Sequence, residues 1–313
     1  MTFAQRLAVA TAFSTLVLIG VGVLVRATGS GLGCPDWPLC HGGVVPPGHK
    51  IAVIEYTHRF AAMLVGFMVI AVAALAWKHF RHVPFIVWTA TLTVPLVGLQ
   101  GILGAITVVR ELPPEIVATH LLTAMLVLSC EIAVAVAMYR ADPSRAGHII
   151  GMDSRSTAVG RLALAAIVWL AAVVWVGGYM TESGAATACE GWPLCNGSVT
   201  PAADDQEITH MLHRYLAGAF VFFLAPVAAS AWRRRGQLRW AAAAAAILAF
   251  LYVAQVLVGA LNVWYAFPDP LTISHTVIAA SIWFTLSGTI ALAFYSPGIA
   301  VASPSFKKAG APA

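Results

Sequence analysis

The chain has 313 residues, of which 60% are hydrophobic and only 10% charged, and its mean hydropathy is +0.83. That composition excludes a soluble globular domain and leaves the polytopic membrane class. The formal net charge of +5 calls for no nucleic-acid partner, because its placement on alternating connections accounts for it.

A bilayer core about 30 Å thick is crossed by roughly 20 apolar residues in a helix. Eight such stretches are predicted, centred near Leu18, Val65, Leu96, Leu126, Ala171, Phe222, Leu251 and Trp283. The first follows a short basic region and has the outline of a signal peptide. Its counterpart after Arg161 is internal, however, so it is expected to remain as a spanning helix. The predicted fold is an all-α polytopic membrane protein with eight transmembrane helices in two tandem pseudo-symmetric four-helix bundles. The expected divisions are residues 1–140, a cytoplasmic linker at 141–160, residues 161–297 and a cytoplasmic tail at 298–313.

Basic residues orient the bundle, since cytoplasmic connections collect them. Arg6, Lys78, Arg81, Arg140, Arg145, Arg155, Arg161, Arg233, Arg234, Arg235, Arg239, Lys307 and Lys308 all fall on one set of alternating connections. That set is predicted to be cytoplasmic, together with both termini. The opposite connections carry Asp36, Glu182, Glu190, Asp204, Asp205 and Asp269, with Arg26, Lys50 and Arg110 as their few basic residues.

The two halves repeat without a gap at an offset of 155 residues. Cys34-Pro-Asp-Trp-Pro-Leu-Cys40-His-Gly returns as Cys189-Glu-Gly-Trp-Pro-Leu-Cys195-Asn-Gly, and His58-Arg59 returns as His213-Arg214. His120 returns as His275, Gln100 and Gly104 as Gln255 and Gly259, and Arg6-Leu7-Ala8 as Arg161-Leu162-Ala163. The unit is too long for a solenoid and reads as a domain-sized duplication.

Both cysteine pairs fall on loops predicted to be outside, where disulfides persist. Within each pair, Pro and Gly-Trp bends bring the Cα atoms toward bridging distance, so Cys34–Cys40 and Cys189–Cys195 are expected disulfides. Two roles stay open at this point: loop staples, or a redox-active pair that passes electrons. Two thiols per motif are too few for a tetrahedral zinc site. Cys130 lies alone in a helix interior.

Ionisable side chains inside a membrane are candidates for function, and the ten histidines sort by position. His79, His82 and His148 lie in connections predicted to be cytoplasmic, and His41 and His49 in an outer loop; these five read as solvated or interfacial. His58 opens the second predicted helix and His120 lies in the first turns of the fourth, after Pro113-Pro114, a pair suited to a helix start. Both helices run from outside to inside, which puts the two imidazoles at similar depth in one bundle, and His213 with His275 in the other. Bundle cores hold cofactors between facing helices, and paired imidazoles suit the two axial positions of a heme iron. With both axial positions filled, the iron has no open site for oxygen. Such a heme carries electrons or is itself modified at its edge.

The halves differ at Glu55, whose counterpart is His210. Glu55 precedes His58 by three residues and shares its helix face, about 4.5 Å nearer the outer surface. A carboxylate there is placed to act as a base or to stabilise developing positive charge at the porphyrin edge. The alternative is an interfacial acid paired with Arg59 or Lys50. His210 reads equally as an outer-surface histidine, and using it as a ligand in place of His213 breaks the gapless register. Arg59 and Arg214 are candidates for heme propionate contacts.

These residues resemble bacterial heme A synthase. The resemblance rests on Glu55-x-x-His58-Arg59, Thr119-His120, His213-Arg214, Ser274-His275, Gly-x-Gly-Cys34-Pro-Asp-Trp-Pro-Leu-Cys40 and Gln100-Gly101-x-x-Gly104-Ala-x-Thr107-Val. It implies eight helices in two four-helix halves and conversion of heme O to heme A, in which successive hydroxylations with water-derived oxygen turn a ring methyl into a formyl group for the cytochrome oxidase heme A supply. It implies His58 and His120 as axial ligands of the substrate heme O, Glu55 as the catalytic carboxylate, and His213 and His275 as ligands of a permanent heme b. It also implies a Cys34–Cys40 disulfide; the role of Cys189–Cys195 is less firmly carried over. A bacterial cell membrane location follows. The electron acceptor is left open, with a quinone as one candidate, and a heme O synthase and cytochrome oxidase assembly factors are candidate partners.

Two other classes compete. A bis-histidine transmembrane cytochrome b moving electrons between a quinol and an outer-surface partner keeps the hemes and drops the chemistry. A transporter is supported by the duplication alone.

Overall fold

The computed structural model describes residues 1–141, 154–236 and 238–294. Among them, eight helices are long and apolar enough to cross a membrane, and the centres expected from hydropathy fall inside them. In chain order they are α1 (Phe3–Ala27), α2 (Lys50–His79), α3 (Pro84–Val109), α4 (Pro114–Arg140), α5 (Ser154–Glu182), a sixth span made of α6 (Asp205–Ala219) and α7 (Val221–Arg233), α8 (Ala241–Trp264) and α9 (Asp269–Phe294). The sixth span is interrupted at Phe220, six residues before Pro226, whose missing N–H and bulky ring disturb the preceding turns.

Local chemistry sets the helix ends. Thr2 and Gln5 form a capping box at α1, and Asp204 caps α6 by accepting from the amides of Gln206 and Glu207, satisfying N–H groups that no helical carbonyl can reach. Pro84 and Pro114 stand at the starts of α3 and α4, where a missing N–H costs nothing. After α3, Glu111 (φ 56°) and Leu112 (φ 61°) are left-handed, and after α8 so are Ala266 (φ 55°) and Phe267 (φ 57°). The same bond closes both turns: Leu112 N–H to Thr107 carbonyl and Phe267 N–H to Asn262 carbonyl, each 2.7 Å.

Two boundaries differ from expectation. The second helix begins at Lys50, so His58 lies two turns inside it instead of opening it. Likewise α5 begins at Ser154, within the span expected to be linker, because the helix takes in the polar turn ahead of the apolar run that starts after Arg161. The predicted tail at 298–313 and His148 lie outside the described residues.

In the first half α1 packs on α2 and α4, and α3 on α2 and α4; in the second, α5 packs on α6, α7 and α9, and α8 on α7 and α9. The halves meet through α4 with α5, α4 with α9 and α1 with α9. A core of buried side chains fills that seam, with Met125 and Leu128 from α4 against Leu170, Ile282, Trp283 and Leu286. Lipid tails are as apolar as leucine, so close packing and inter-helix hydrogen bonds have to hold such a seam. Trp283 Nε1 donates to Ser129 Oγ at 2.7 Å, and Ser129 and Ser287 hydroxyls pair at 2.9 Å. Phe67, Trp88, Leu92, Phe222 and Phe250 face outward, fully half exposed or more, as side chains against lipid do.

Candidate functional site

The loops after α1 and α5 are each closed by a disulfide, Cys34–Cys40 and Cys189–Cys195, with Cα atoms 4.7 Å apart in both. All four cysteines are buried, which shields the bridges from soluble thiols and supports the staple reading. Each loop holds a cis Trp-Pro bond, Trp37-Pro38 and Trp192-Pro193. Asp36 accepts from the amides of His41 (2.6 Å) and Gly42 (2.7 Å). These bonds, the Gly42 amide foremost, hold its carboxyl below the ordinary value of 3.8. Asp36 has Gly191 as its counterpart; there the side chain of Asn196 accepts from the Glu190 amide at 3.0 Å instead.

Arg59 ties the first loop to α2. Its guanidinium donates to the carbonyls of Asp36 (2.7 Å), Leu39 (2.7 Å) and Cys34 (2.9 Å) and to Glu55 Oε1 at 2.5 Å. The other oxygen of Glu55 accepts from the Cys34 amide at 2.8 Å. Glu55 is thus buried in an ion pair with Arg59, the alternative raised by its sequence. Arg214 bonds the carbonyls of Leu194 (3.1 Å), the counterpart of Leu39, and of Pro193 (3.2 Å), and among the described residues it has no acid paired with it. His210, in the place of Glu55, instead pairs through Nδ1 with the Ala185 carbonyl at 3.0 Å. Arg214 Nη2 is left buried and unpartnered. Tyr56 and Tyr215 donate to the repeat-matched carbonyls of Val44 and Val199 from positions one turn apart in the repeat register.

Each of the four repeat-matched histidines lies against a glycine of a neighbouring helix. A Cβ on Gly22 would sit 3.0 Å from Cε1 of His58, one on Gly177 2.8 Å from His213, one on Gly104 3.6 Å from His120, and one on Gly259 3.1 Å from His275. The glycines themselves are repeat pairs. At Gly22, Gly177 and Gly259 even a methyl would crowd the imidazole, so the small residue lets the ring lie in the bundle interior; at Gly104 a methyl would make an ordinary contact. All four Nδ1 atoms are buried without a partner. In the second half the rings of His213 and His275 have centroids 6.5 Å apart, and Gln255 Nε2 lies 3.1 Å from His275 Nε2. In the first half Gln100 Nε2 donates to the His120 carbonyl at 3.1 Å.

A cavity of about 520 Å³ opens beside His213 and His275, with His210, Arg214 and Phe267 in its wall. That volume suits a large planar ligand. Two metal–nitrogen bonds of about 2 Å together with the ring radii fill the gap between the imidazoles, so a porphyrin iron fits between them. Among the described residues no group of three or more His, Cys, Asp or Glu side chains is poised around a common point. Two imidazoles are what a heme iron asks of the protein, since the porphyrin supplies its other ligands. Val23, Arg26, Leu121 and Met125 of the first half complete the wall.

The sequence singled out the histidines, Gln100, Gly104, Gln255 and Gly259 through the repeat. Gly22 and Gly177 were missed, although they fall on the same register and that alone would have found them. His41 bonds the Gly33 carbonyl at 3.0 Å and is a loop residue as expected.

Residues 5–287 match the COX15-CtaA family model, described as cytochrome oxidase assembly protein. The chain is 30% identical over 286 residues to a heme A synthase of Alkalihalophilus pseudofirmus, covering 89% of this chain and 93% of that one. It is 33% identical over 218 residues to one of Shouchella clausii, covering 68% and 71%, and 28% identical over 282 residues to one of Geobacillus kaustophilus, covering 88% and 87%. A match over nearly the whole chain, on top of the paired histidines and disulfide loops, makes this protein a member of the COX15-CtaA family.

Proposed function

We infer that the protein is a heme A synthase, a multi-pass membrane oxidoreductase that acts on heme O. The observation that carries this reading is the cavity of about 520 Å³ lined by His213 and His275, beside the same histidine-on-glycine contacts that frame His58 and His120. The first half is the substrate side: His58 and His120 hold heme O, and Glu55 lies on the same helix as His58. The second half holds a permanent heme b on His213 and His275; when bound, it supplies a one-electron carrier.

Each hydroxylation of the ring methyl takes oxygen from water and releases two electrons and two protons. Loss of water from the twice-hydroxylated carbon then leaves the formyl group. Glu55 has the chemistry for this: each of its oxygens accepts one hydrogen bond and keeps a second lone pair, so the carboxylate can orient a water or take its proton and favours positive charge developing nearby. Arg214 Nη2, unpartnered and beside the cavity, is the group best placed to meet a propionate. Arg59 is occupied by loop carbonyls and Glu55, and its service to the site is to fix that carboxylate. A quinone as electron acceptor, and a heme O synthase or oxidase assembly factors as partners, suit the membrane setting. Positive charge on the alternating connections supports a topology with both termini in the cytoplasm and the cysteine loops outside.

The test is chromatography of hemes extracted from cells that make heme O, with and without this protein. Heme A is expected only with it; heme O unchanged in both would end the reading.

A further inference from the structure

The first bundle is built in layers eleven residues apart. On α1, α2, α3 and α4, the residues at the histidine level (Gly22, His58, Gly104 and His120) are each eleven positions from Thr11, Val69, Thr93 and Glu131. Eleven residues are three turns of helix, about 16 Å along the axis, and return to nearly the same face. Those four lower residues line one small cavity of about 10 Å³, room for a single water. Glu131 faces it with both carboxyl oxygens buried and unpartnered. The hydroxyl of Thr15 approaches the carboxyl, yet neither its oxygen nor those of Glu131 complete a hydrogen bond.

The second bundle carries the same layer with no polar atom. Thr11, Val69, Thr93 and Glu131 become Ala166, Leu224, Leu248 and Leu286, all buried. Above that layer, toward the histidines, Thr15 becomes Leu170 and Thr123 becomes Ile278. Five buried polar side chains of the first half, Thr11, Thr15, Thr93, Thr123 and Glu131, therefore stand where the second half has only apolar ones. An acid with no counter-ion inside a membrane is costly to keep, and nothing in the packing of the first bundle needs it, since the second closes the same layer with leucine. The titratable groups near it are few: α1, α2 and α3 present only threonine, alanine and valine to the cavity, and on α4 Cys130 adjoins it in sequence.

We propose that Glu131, with a water held between Thr11 and Thr93, is a proton-relay site that takes protons released at the histidine level of the first bundle and passes them toward the end opposite the cysteine loops. This rests on the heme O reading, which supplies two protons per hydroxylation and places their release in the half that has the polar track. Glu131 touches no substrate; it acts through water and hydroxyls, as carboxyls in membrane proton paths do.

The experiment uses the full-length protein in lipid, carrying Glu131→Gln or Glu131→Leu, the residue of the other half. Infrared spectra of the purified protein, compared in light and heavy water, are expected to contain a protonated-carboxyl band that both variants lack. Conversion of heme O is expected to slow at least about tenfold while heme absorbance is unchanged. A band that survives in Glu131→Gln, or conversion at the unaltered rate, overturns the relay. Should Glu131→Leu fail to assemble, Glu131→Gln, of the same size and polarity, carries the test. The infrared signal needs no turnover, so loss of the synthase reading would show separately, as unsubstituted protein making no heme A.

Discussion

Glu55 accepts the backbone amide of Cys34 at 2.8 Å, so the carboxylate of the first half and its disulfide loop form one unit. Arg59 completes the unit by donating to Glu55 and to the Cys34, Asp36 and Leu39 carbonyls. Glu55→Ala is expected to stop heme A formation with heme b absorbance intact, and to destabilise the protein by about 1–3 kcal/mol, because it leaves a buried amide and a guanidinium short of an acceptor. Glu55→Gln keeps an acceptor for the amide and should recover most of the thermal stability without the activity. Equal melting of the two variants would contradict this arrangement.

Replacing the glycines by alanine should follow the distances at which the new methyl meets each ring. Gly177→Ala (2.8 Å) and Gly22→Ala (3.0 Å) are expected to be the most damaging, Gly259→Ala (3.1 Å) intermediate, and Gly104→Ala (3.6 Å), an ordinary contact, tolerated. Heme content of the purified variants, read by absorbance, checks the order. Heme retained in full by Gly177→Ala would refute it.

The halves should separate by single substitutions. His213→Ala or His275→Ala is expected to abolish the heme b spectrum. By contrast, His58→Ala or His120→Ala should leave that spectrum and remove binding of added heme O. The opposite pattern would exchange the two assignments.

Asp36 gives the cysteine loop a dependence on acidity. Its folded value lies below the ordinary 3.8, chiefly through the Gly42 amide. Its contribution is therefore complete above about pH 4 and is lost as pH falls through the depressed value. Protection of the His41 and Gly42 amides, measured as exchange relative to the intrinsic rate at each pH, is expected to fall in that acid range, and Asp36→Ala should lower it already at neutral pH. No difference between the two proteins at neutral pH would show that the carboxylate does not hold the turn.

Much of this was legible in the amino-acid order. Eight apolar runs gave eight spanning helices, because length and hydropathy decide insertion. Exact register between the halves exposed His58, His120, His213 and His275. Other features left weaker marks. The start of α2 at Lys50 was hidden because Glu55-Tyr-Thr-His58 parts the short apolar run Ile51–Ile54 from the long one that follows, and so short a run reads equally as loop or helix. Gly22 lies in a run of valine and leucine, where a missing side chain has no chemical signature until the facing imidazole is seen. Glu131, one acid in an apolar helix, was passed over in the sequence, where the repeat drew attention to matched residues; the packing shows that its oxygens lack partners and that Leu286 closes the matching layer.

The chamber beside His213 and His275 borrows part of its wall from Val23, Arg26, Leu121 and Met125, and Arg26 also reaches over to Glu182. A gene fragment encoding the latter half alone would open that wall to acyl chains. The second module has consequently surrendered its autonomy: cut away, it makes no whole receptacle, and only co-expression with its twin would be expected to restore one.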